Sequence, residues 1–287
     1  MERNIGKTGI TVNAIGFGGL PLSEVSRPPE SDALGVIHAA LSAGVNFIDT
    51  ADVYCLDDSE IGHNERLIAL ALKQWHGHEV MVATKGGCTR PGGDWGVNGR
   101  PEHLRQACER SLKALGAERI FLYQLHAPDD DVPLEDSIGE LARLQSQGKI
   151  AHIGVSNVNL DELGRAQKVA RIESVQNRLN PLCQRDLING VADACAKHGM
   201  TYIAYSPVGG GQYHAELGKH PLLVEIGVKY HATPHQVMLA WVLSKGEHIL
   251  PIPGASKQKS ILDSVKSAEL KIDSADLDAI DQLTMVA

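Results

Sequence analysis

One beat recurs along the chain. A segment with helical spacing ends at a glycine, and a short apolar run begins within a few residues. Gly44 precedes Val45-Asn-Phe-Ile48, Gly77 precedes Val80-Met-Val-Ala83, and Gly116 precedes Ile120-Phe-Leu-Tyr-Gln-Leu125. Gly148 precedes Ile150-Ala-His-Ile-Gly-Val155, Gly199 precedes Thr201-Tyr-Ile-Ala204, and Gly246 precedes His248-Ile-Leu-Pro-Ile252. Glycine suits the left-handed residue that follows a helix end. Short apolar strands separated by amphipathic helices call for parallel βαβ units, whose strands are covered on both faces.

The helices between the strands are legible too. Pro101 stands where a first helical residue belongs, and Leu104, Ala107, Cys108, Ser111, Leu112 and Leu115 then recur at three- and four-residue intervals as one buried stripe. Leu134, Ile138, Leu141 and Ala142 repeat the pattern, as do Leu187, Val191, Ala194 and Cys195. Eight strands are expected: 14–17, 47–49, 80–84, 120–125, 150–155, 174–176, 202–205 and 249–251. Eight strands, each followed by a helix, predict an α/β fold of the closed (β/α)8 TIM-barrel type, a form that often runs ~250 residues as one domain. One domain over residues 1–287 is therefore expected. The competing open, doubly wound sheet wants a glycine-rich phosphate loop after its first strand. Gly16-Phe-Gly18-Gly19 is a poor match, because the pattern would need glycine at Pro21 and no helix opens there. The segment 4–12, with its Lys7-Thr-Gly9 turn, reads as an N-terminal β-hairpin able to plug the N-terminal end of the barrel. Leu277, Ile280 and Leu283 predict an extra C-terminal helix.

Composition narrows the partners. A formal net charge of −8 disfavours a nucleic-acid backbone as ligand. No apolar run reaches the ~18 residues that would span a membrane, and Met1-Glu-Arg-Asn-Ile-Gly6 has no apolar signal core. Cys55, Cys88, Cys108, Cys183 and Cys195 show neither CxxC nor metal-type spacing, so no metal is expected. Free thiols in a reducing, cytoplasmic setting fit them best. Cys55 reads as a small residue lining a turn, since no base or cation sits beside it in sequence.

The chemistry concentrates at three strand ends. Asp49-Thr-Ala-Asp-Val-Tyr54, Ala83-Thr-Lys85 and Tyr123-Gln-Leu-His126 place an acid, a phenol, an ammonium and an imidazole at the C-terminal ends of successive strands. Barrels of this type build active sites at that rim. A phenol is a poor acid at neutral pH, with an ordinary pKa of ~10. A nearby ammonium is expected to lower it by stabilising phenolate, and a carboxylate to hold that ammonium in place. Asp49, Lys85 and Tyr54 thus read as a tuned proton donor, with His126 donating to a substrate oxygen or relaying the proton. A group that holds a carbonyl and supplies it a proton suits a small-molecule carbonyl substrate.

These motifs, with Gly154-Val-Ser-Asn157, Ser174-Val-Gln-Asn177, Ala204-Tyr-Ser-Pro207 and Ile252-Pro-Gly254 in the same order, resemble the aldo-keto reductase family nearly end to end. The resemblance implies a (β/α)8 barrel that binds NADP(H) in extended form without a Rossmann motif. It implies Tyr54 as general acid, with Asp49, Lys85 and His126 completing a tetrad. It implies that Ser156, Asn157 and Gln176 hold the carboxamide and that Tyr205 stacks on the nicotinamide. The amides supply the donor and acceptor that a carboxamide needs. It further implies cofactor contacts from Gly18, Gly19, Ser206, Pro207, Val208, Gly209, Gly254, Ser256, Lys257, Ser260 and Asp263. Lys257 and Lys259 lie at a helix start, which favours phosphate, and can meet a 2′-phosphate. Ser264 departs from the asparagine common in the family at the adenine.

The loop 86–99 contains six glycines and a tryptophan. A long loop on the catalytic rim shapes a substrate pocket, and Trp95 is its natural aromatic wall. Tyr213 borders cofactor or substrate in this reading. The expected activity is NADPH-dependent reduction of an aldehyde or ketone. Two alternatives remain open at this stage: a cofactor-binding, redox-sensing regulatory subunit acting through a protein partner, and a lyase or isomerase on the same barrel.

Overall fold

The protein is described over residues 1–283 from a computed structural model. The chain opens with an antiparallel hairpin, β1 (Glu2–Asn4) and β2 (Thr11–Asn13), in which Arg3 faces Val12. Eight parallel strands follow: β3 (Phe17–Gly18), β4 (Phe47–Asp49), β5 (Met81–Gly86), then β8 (Ile120–Leu125), β9 (Ile150–Ser156), β10 (Ile172–Arg178), β11 (Thr201–Tyr205) and β12 (Ile249–Pro251). Between β5 and β8 the long loop carries a two-stranded ribbon, β6 (Cys88–Thr89) with β7 (Gly96–Val97).

The eight strands pair in chain order, and the two outer strands meet. Gly16 N–H donates to Pro251 O at 3.0 Å, Gly18 N–H to Pro253 O at 3.1 Å, and Gly18 bridges Gly254 in parallel. This seam makes the sheet a closed barrel. It requires glycine at position 18, where a Cβ would come within 2.8 Å of Ile252 O. The first strand is shorter and later than the expected 14–17, because Ala14 and Ile15 are spent on packing beneath it. The third and sixth barrel strands run longer at their C-terminal ends than the apolar runs suggest, since Lys85, Gly86, Asn177 and Arg178 continue the ladder.

The hairpin sits under the barrel as expected. Ile5 and Val12 are buried with the barrel-lining Phe47, Ala83, Leu122, Ile203 and Leu250. Arg3 Nε donates to Ile249 O at 3.0 Å and Thr201 Oγ1 to Asn4 O at 2.7 Å, which ties the plug to the starts of β12 and β11. Outside the barrel, the helix Pro101–Leu115 buries Leu104, Ala107, Cys108 and Ser111, four positions of the predicted stripe. The C-terminal helix Ser274–Asp281 buries Ile280 against the large outer core. Among the described residues no helix is long and apolar enough to cross a membrane.

Candidate active site

Asp49 ends β4, and a turn closed by Tyr54 N–H donating to Ala51 O (3.2 Å) brings Tyr54 back over the barrel mouth. Lys85 lies on β5 in register with Gln124 of β8, and His126 follows β8 with its N–H on Gly86 O at 2.9 Å. The four residues predicted from the strand ends therefore meet at one rim, and all are buried.

Lys85 spends all three ammonium protons inside the site. Nζ donates to Asp49 Oδ2 at 2.6 Å, to Thr50 O at 2.8 Å and to the Tyr54 hydroxyl at 3.0 Å. It also lies 4.8 Å from the centre of the Tyr54 ring. Asp49 Oδ1 accepts from Gln176 Nε2 at 2.7 Å and from Gln124 Nε2 at 3.3 Å. The His126 ring stands edge-on to Tyr54, 5.8 Å between centroids. Among the described residues the Tyr54 hydroxyl accepts from Lys85 and donates to nothing.

The expected electrostatics are reversed at the phenol. Burial, followed by Asp49, pushes Tyr54 well above its ordinary value of 10.0, where sequence reasoning expected Lys85 to lower it. The reason is three-dimensional. Asp49 cancels the charge of Lys85 at 2.6 Å, and the closed site withdraws the solvent a phenolate would need. Burial also lowers Lys85, with Asp49 opposing the shift. Burial and the neighbouring Lys85 hold His126 well below the usual histidine range, so its imidazole is neutral. Its Nδ1 is buried without a partner. The site stores a proton on Tyr54 at neutral pH and presents a neutral histidine beside it.

The side facing β9–β11 holds the amides. Ser156 Oγ donates to Gln176 O at 2.7 Å, and Asn157 Nδ2 donates to His126 O at 2.9 Å. The Tyr205 hydroxyl donates to Asn157 Oδ1 at 2.8 Å. Asn157 and Ser206 both take left-handed backbone (φ 59° and 50°), which is costly for non-glycine residues and concentrates at functional sites. Asn180 Nδ2 holds the Ser206 carbonyl at 3.0 Å. Pro207, Val208 and Gly209 are buried and lead into the helix Gly210–Leu217, where Tyr213 packs partly on the outer core. Across the mouth, Gly254 is exposed and Ser256 half-buried. Lys257, Lys259 and Ser260 are exposed at the start of the helix Gln258–Val265, of which Lys257 is the N-cap. Asp263 is held on the scaffold: it accepts from Thr233 Oγ1 at 2.7 Å and Gln236 Nε2 at 2.9 Å. Ser264 Oγ turns back onto Ser260 O at 3.0 Å.

Trp95 stands at the rim, half-exposed, edge-on to His126 at 6.1 Å and stacked by Arg90 at 4.4 Å. It reaches the site through His126 while Arg90 of its own loop covers its ring. Cys55 is buried with its thiol on Val53 O, and burial pushes it up to about 11, which leaves an inert thiol. All five cysteines are free, and no cluster of three or more His, Cys, Asp or Glu among the described residues suits a metal. Sequence reasoning missed Gln124 and Asn64. The signal for Gln124 was a lone amide inside the apolar run Phe121-Leu-Tyr-Gln-Leu125; Asn64 carried none.

Behind the tetrad lie two more buried acids. The Asp52 carboxyl has no hydrogen-bond partner within normal range, Arg110 lying 3.7 Å from its Oδ2, and Glu65 keeps one oxygen on Thr84 Oγ1 (2.6 Å) and one unpaired. Burial, then Glu65, pushes Asp52 up to about 8 from an ordinary 3.8, with Arg110 opposing. The folded state thus binds this proton more tightly than the unfolded chain. Asp52 does not weaken the fold below pH ~4, destabilises it by ~1.4 kcal/mol for each pH unit between the two values, and reaches its full cost above about 8. Asp52→Asn is therefore expected to be more stable than wild type at pH 8, with the gap closing toward pH 4. Urea melts at both ends of that range check it; a pH-independent gap would show that Asp52 is not the titrating group.

The comparisons with known proteins agree with this geometry. The model of the "Aldo/keto reductase family" matches residues 14–284. A probable aldo-keto reductase of Glycine max is 34% identical over 302 residues, spanning 95% of this chain and 86% of its own. A thermostable aldo-keto reductase solved with the inhibitor epalrestat superposes with a TM-score of 0.83 at 26% identity, covering 98% of both chains. An aldo-keto reductase from Klebsiella pneumoniae, solved in complex with NADPH, has the same fold (TM-score 0.82, 20% identity, 98% of this chain and 95% of that one). The family match runs from below the first barrel strand into the residues after the last helix, so the chain belongs to the aldo/keto reductase family, oxidoreductases that act on small carbonyl compounds with a nicotinamide cofactor.

Proposed function

We propose that this protein reduces an aldehyde or ketone to an alcohol by hydride transfer from NADPH, with Tyr54 as general acid, and that residues 1–287 act as one domain in doing so. The carrying observation is the Lys85 ammonium, bound at once to Asp49, Thr50 O and the Tyr54 hydroxyl. It fixes the phenol oxygen and leaves the phenolic hydrogen free to be given away. The bound nicotinamide would supply the hydride. Tyr54 then protonates the carbonyl oxygen as negative charge develops there, and the Lys85 hydrogen bond stays on the phenol oxygen left behind. Neutral His126, with Trp95 beyond it, orients the carbonyl and walls the pocket.

The residues present fit that cofactor. Asn157, Ser156 and Gln176 offer an amide nitrogen, a hydroxyl and an amide oxygen beside the half-buried Tyr205 ring, the set a nicotinamide carboxamide and ring face would use. A docked carboxamide would take over Asn157's bonds to Tyr205 and His126. Gly18, Gly19, Ser206, Pro207, Val208, Gly209, Gly254, Ser256, Lys257 and Ser260 line the path toward the helix Gln258–Val265. Asp263 anchors that helix from behind through Thr233 and Gln236. The Klebsiella relative solved with NADPH supports the same choice here.

Lys257 and Lys259, exposed at a helix start, motivate a preference for NADPH over NADH. Titration of each by fluorescence quenching is expected to give the tighter binding to NADPH. Lys257→Ala is expected to weaken NADPH roughly three- to tenfold and leave NADH unchanged, as for one exposed charge on a phosphate. Equal affinities, or tighter NADH, would overturn the preference.

A further inference from the structure

We propose that Asn64 is a positioning residue that sets two parts of the site at once, the Gly19 peptide on the cofactor side and the Thr50 peptide that holds Lys85. The inference rests on the reading of Gly19 as a cofactor contact and Lys85 as part of the acid.

Asn64 is the second residue of the helix His63–Lys73, and it is wholly buried. A primary amide in such a place destabilises the fold unless its bonding capacity is used. Nδ2 donates to Gly19 O at 2.8 Å and to Ser23 Oγ at 2.7 Å, while Oδ1 accepts from Thr50 Oγ1 at 2.6 Å. Both amide protons and the oxygen are engaged: the two donor bonds go to the turn between Gly19 and Ser23 and the acceptor bond to Thr50. None caps the helix, whose N-cap is Gly62.

The two ends of this junction carry the chemistry. Gly19 is also fixed from the barrel side, its N–H on Asp49 O at 2.8 Å. A Cβ at Gly19 would lie 2.4 Å from Asn64 Oδ1, so a larger residue there would displace this amide. Thr50 has its N–H on Ala83 O at 2.8 Å and its carbonyl on Lys85 Nζ, also at 2.8 Å. The path from Gly19 to the catalytic ammonium is therefore Gly19 O, Asn64, Thr50, Lys85, with no link longer than 2.8 Å. The third arm ends at Ser23, whose hydroxyl lies 2.8 Å from His63 Nδ1. Donation runs from Thr50 to Asn64 to Ser23, and such a chain fixes the rotamer of each member.

Two substitutions separate the arms. Asn64→Asp keeps the acceptor for Thr50 but replaces both N–H donors with an oxygen facing the Gly19 carbonyl. Thr50→Val keeps shape and the carbonyl on Lys85 but removes the donor to Asn64. NADPH affinity by fluorescence quenching and single-turnover reduction of a reactive aldehyde are measured on both, across pH. Asn64→Asp is expected to weaken NADPH about tenfold with the chemical step within about twofold, the loss of a buried hydrogen-bonded contact on one side only. Thr50→Val is expected to slow the chemical step about tenfold and move its pH profile, with NADPH affinity within about twofold. Equal changes in both quantities for both variants, or no change in either, would reduce Asn64 to a packing residue and overturn the proposal. If Asn64→Asp does not fold, Thr50→Val alone decides by the same split. Wild-type protein that fails to bind NADPH would overturn this proposal together with the proposed function, whereas binding that Asn64→Asp leaves intact overturns this one alone.

Discussion

Tyr54→Phe is expected to lower turnover by about 10²–10⁴-fold, the usual contribution of general acid catalysis, while NADPH affinity changes little. The phenyl ring keeps the packing against Lys85 (4.8 Å) and the edge contact with His126 (5.8 Å). What disappears is the single hydroxyl that accepts from Lys85 and holds the transferable proton. The amide set at Ser156, Asn157 and Gln176 is untouched, so binding and chemistry separate. The raised value of Tyr54 adds a pH signature. A phenol lowered toward neutrality would lose its proton, and with it activity, as pH rises through 7 to 9. A phenol held well above 10.0 stays loaded through that range, so wild-type single-turnover rates are expected to show no loss attributable to Tyr54 below pH 10. Near-normal turnover in Tyr54→Phe would remove Tyr54 from the chemistry and return weight to a cofactor-binding regulatory role.

The second large effect falls on stability. Lys85→Met fills similar volume but leaves Asp49, 2% exposed, with only the amides of Gln124 and Gln176 as donors. Removing one partner of a buried ion pair costs about 3–5 kcal/mol, because the remaining charge stays desolvated. In a domain of this size that is a drop of roughly 5–8 °C in melting temperature. The double variant Asp49→Asn with Lys85→Met removes both charges and is expected to recover most of the loss without recovering turnover. Thermal melts of the single and double variants decide this. A single variant that melts like the wild type would mean that the pair is not a strained, mutually dependent unit.

These two experiments also divide what local sequence specifies from what folding decides. The alternation of glycine-ended helices with apolar runs is a local property, and it constrains the chain to parallel βα units whatever the distant contacts are. Asp49, Tyr54, Lys85 and His126 were visible for the same reason: each lies at or just past a strand end, and in a parallel barrel all such ends lie on one rim. The hairpin plug and the C-terminal helix follow from turn chemistry and spacing within a dozen residues.

Other features depend on groups brought together from far along the chain. The seam that closes the barrel joins Gly18 to Gly254, and the pattern of neither segment reveals the other. The sign of the Tyr54 shift depends on how completely the site excludes solvent and on Asp49 cancelling Lys85, and both are properties of packing. Asp263 is spent on Thr233 and Gln236 because two helices meet there. Gln124 and Asn64 are ordinary polar residues in sequence; they join the site only where the fold leaves their amides buried beside Asp49, Gly19 and Thr50. Strand periodicity sets which residues point to the rim, but the dielectric and the hydrogen-bond partners they meet there exist only once the barrel has closed.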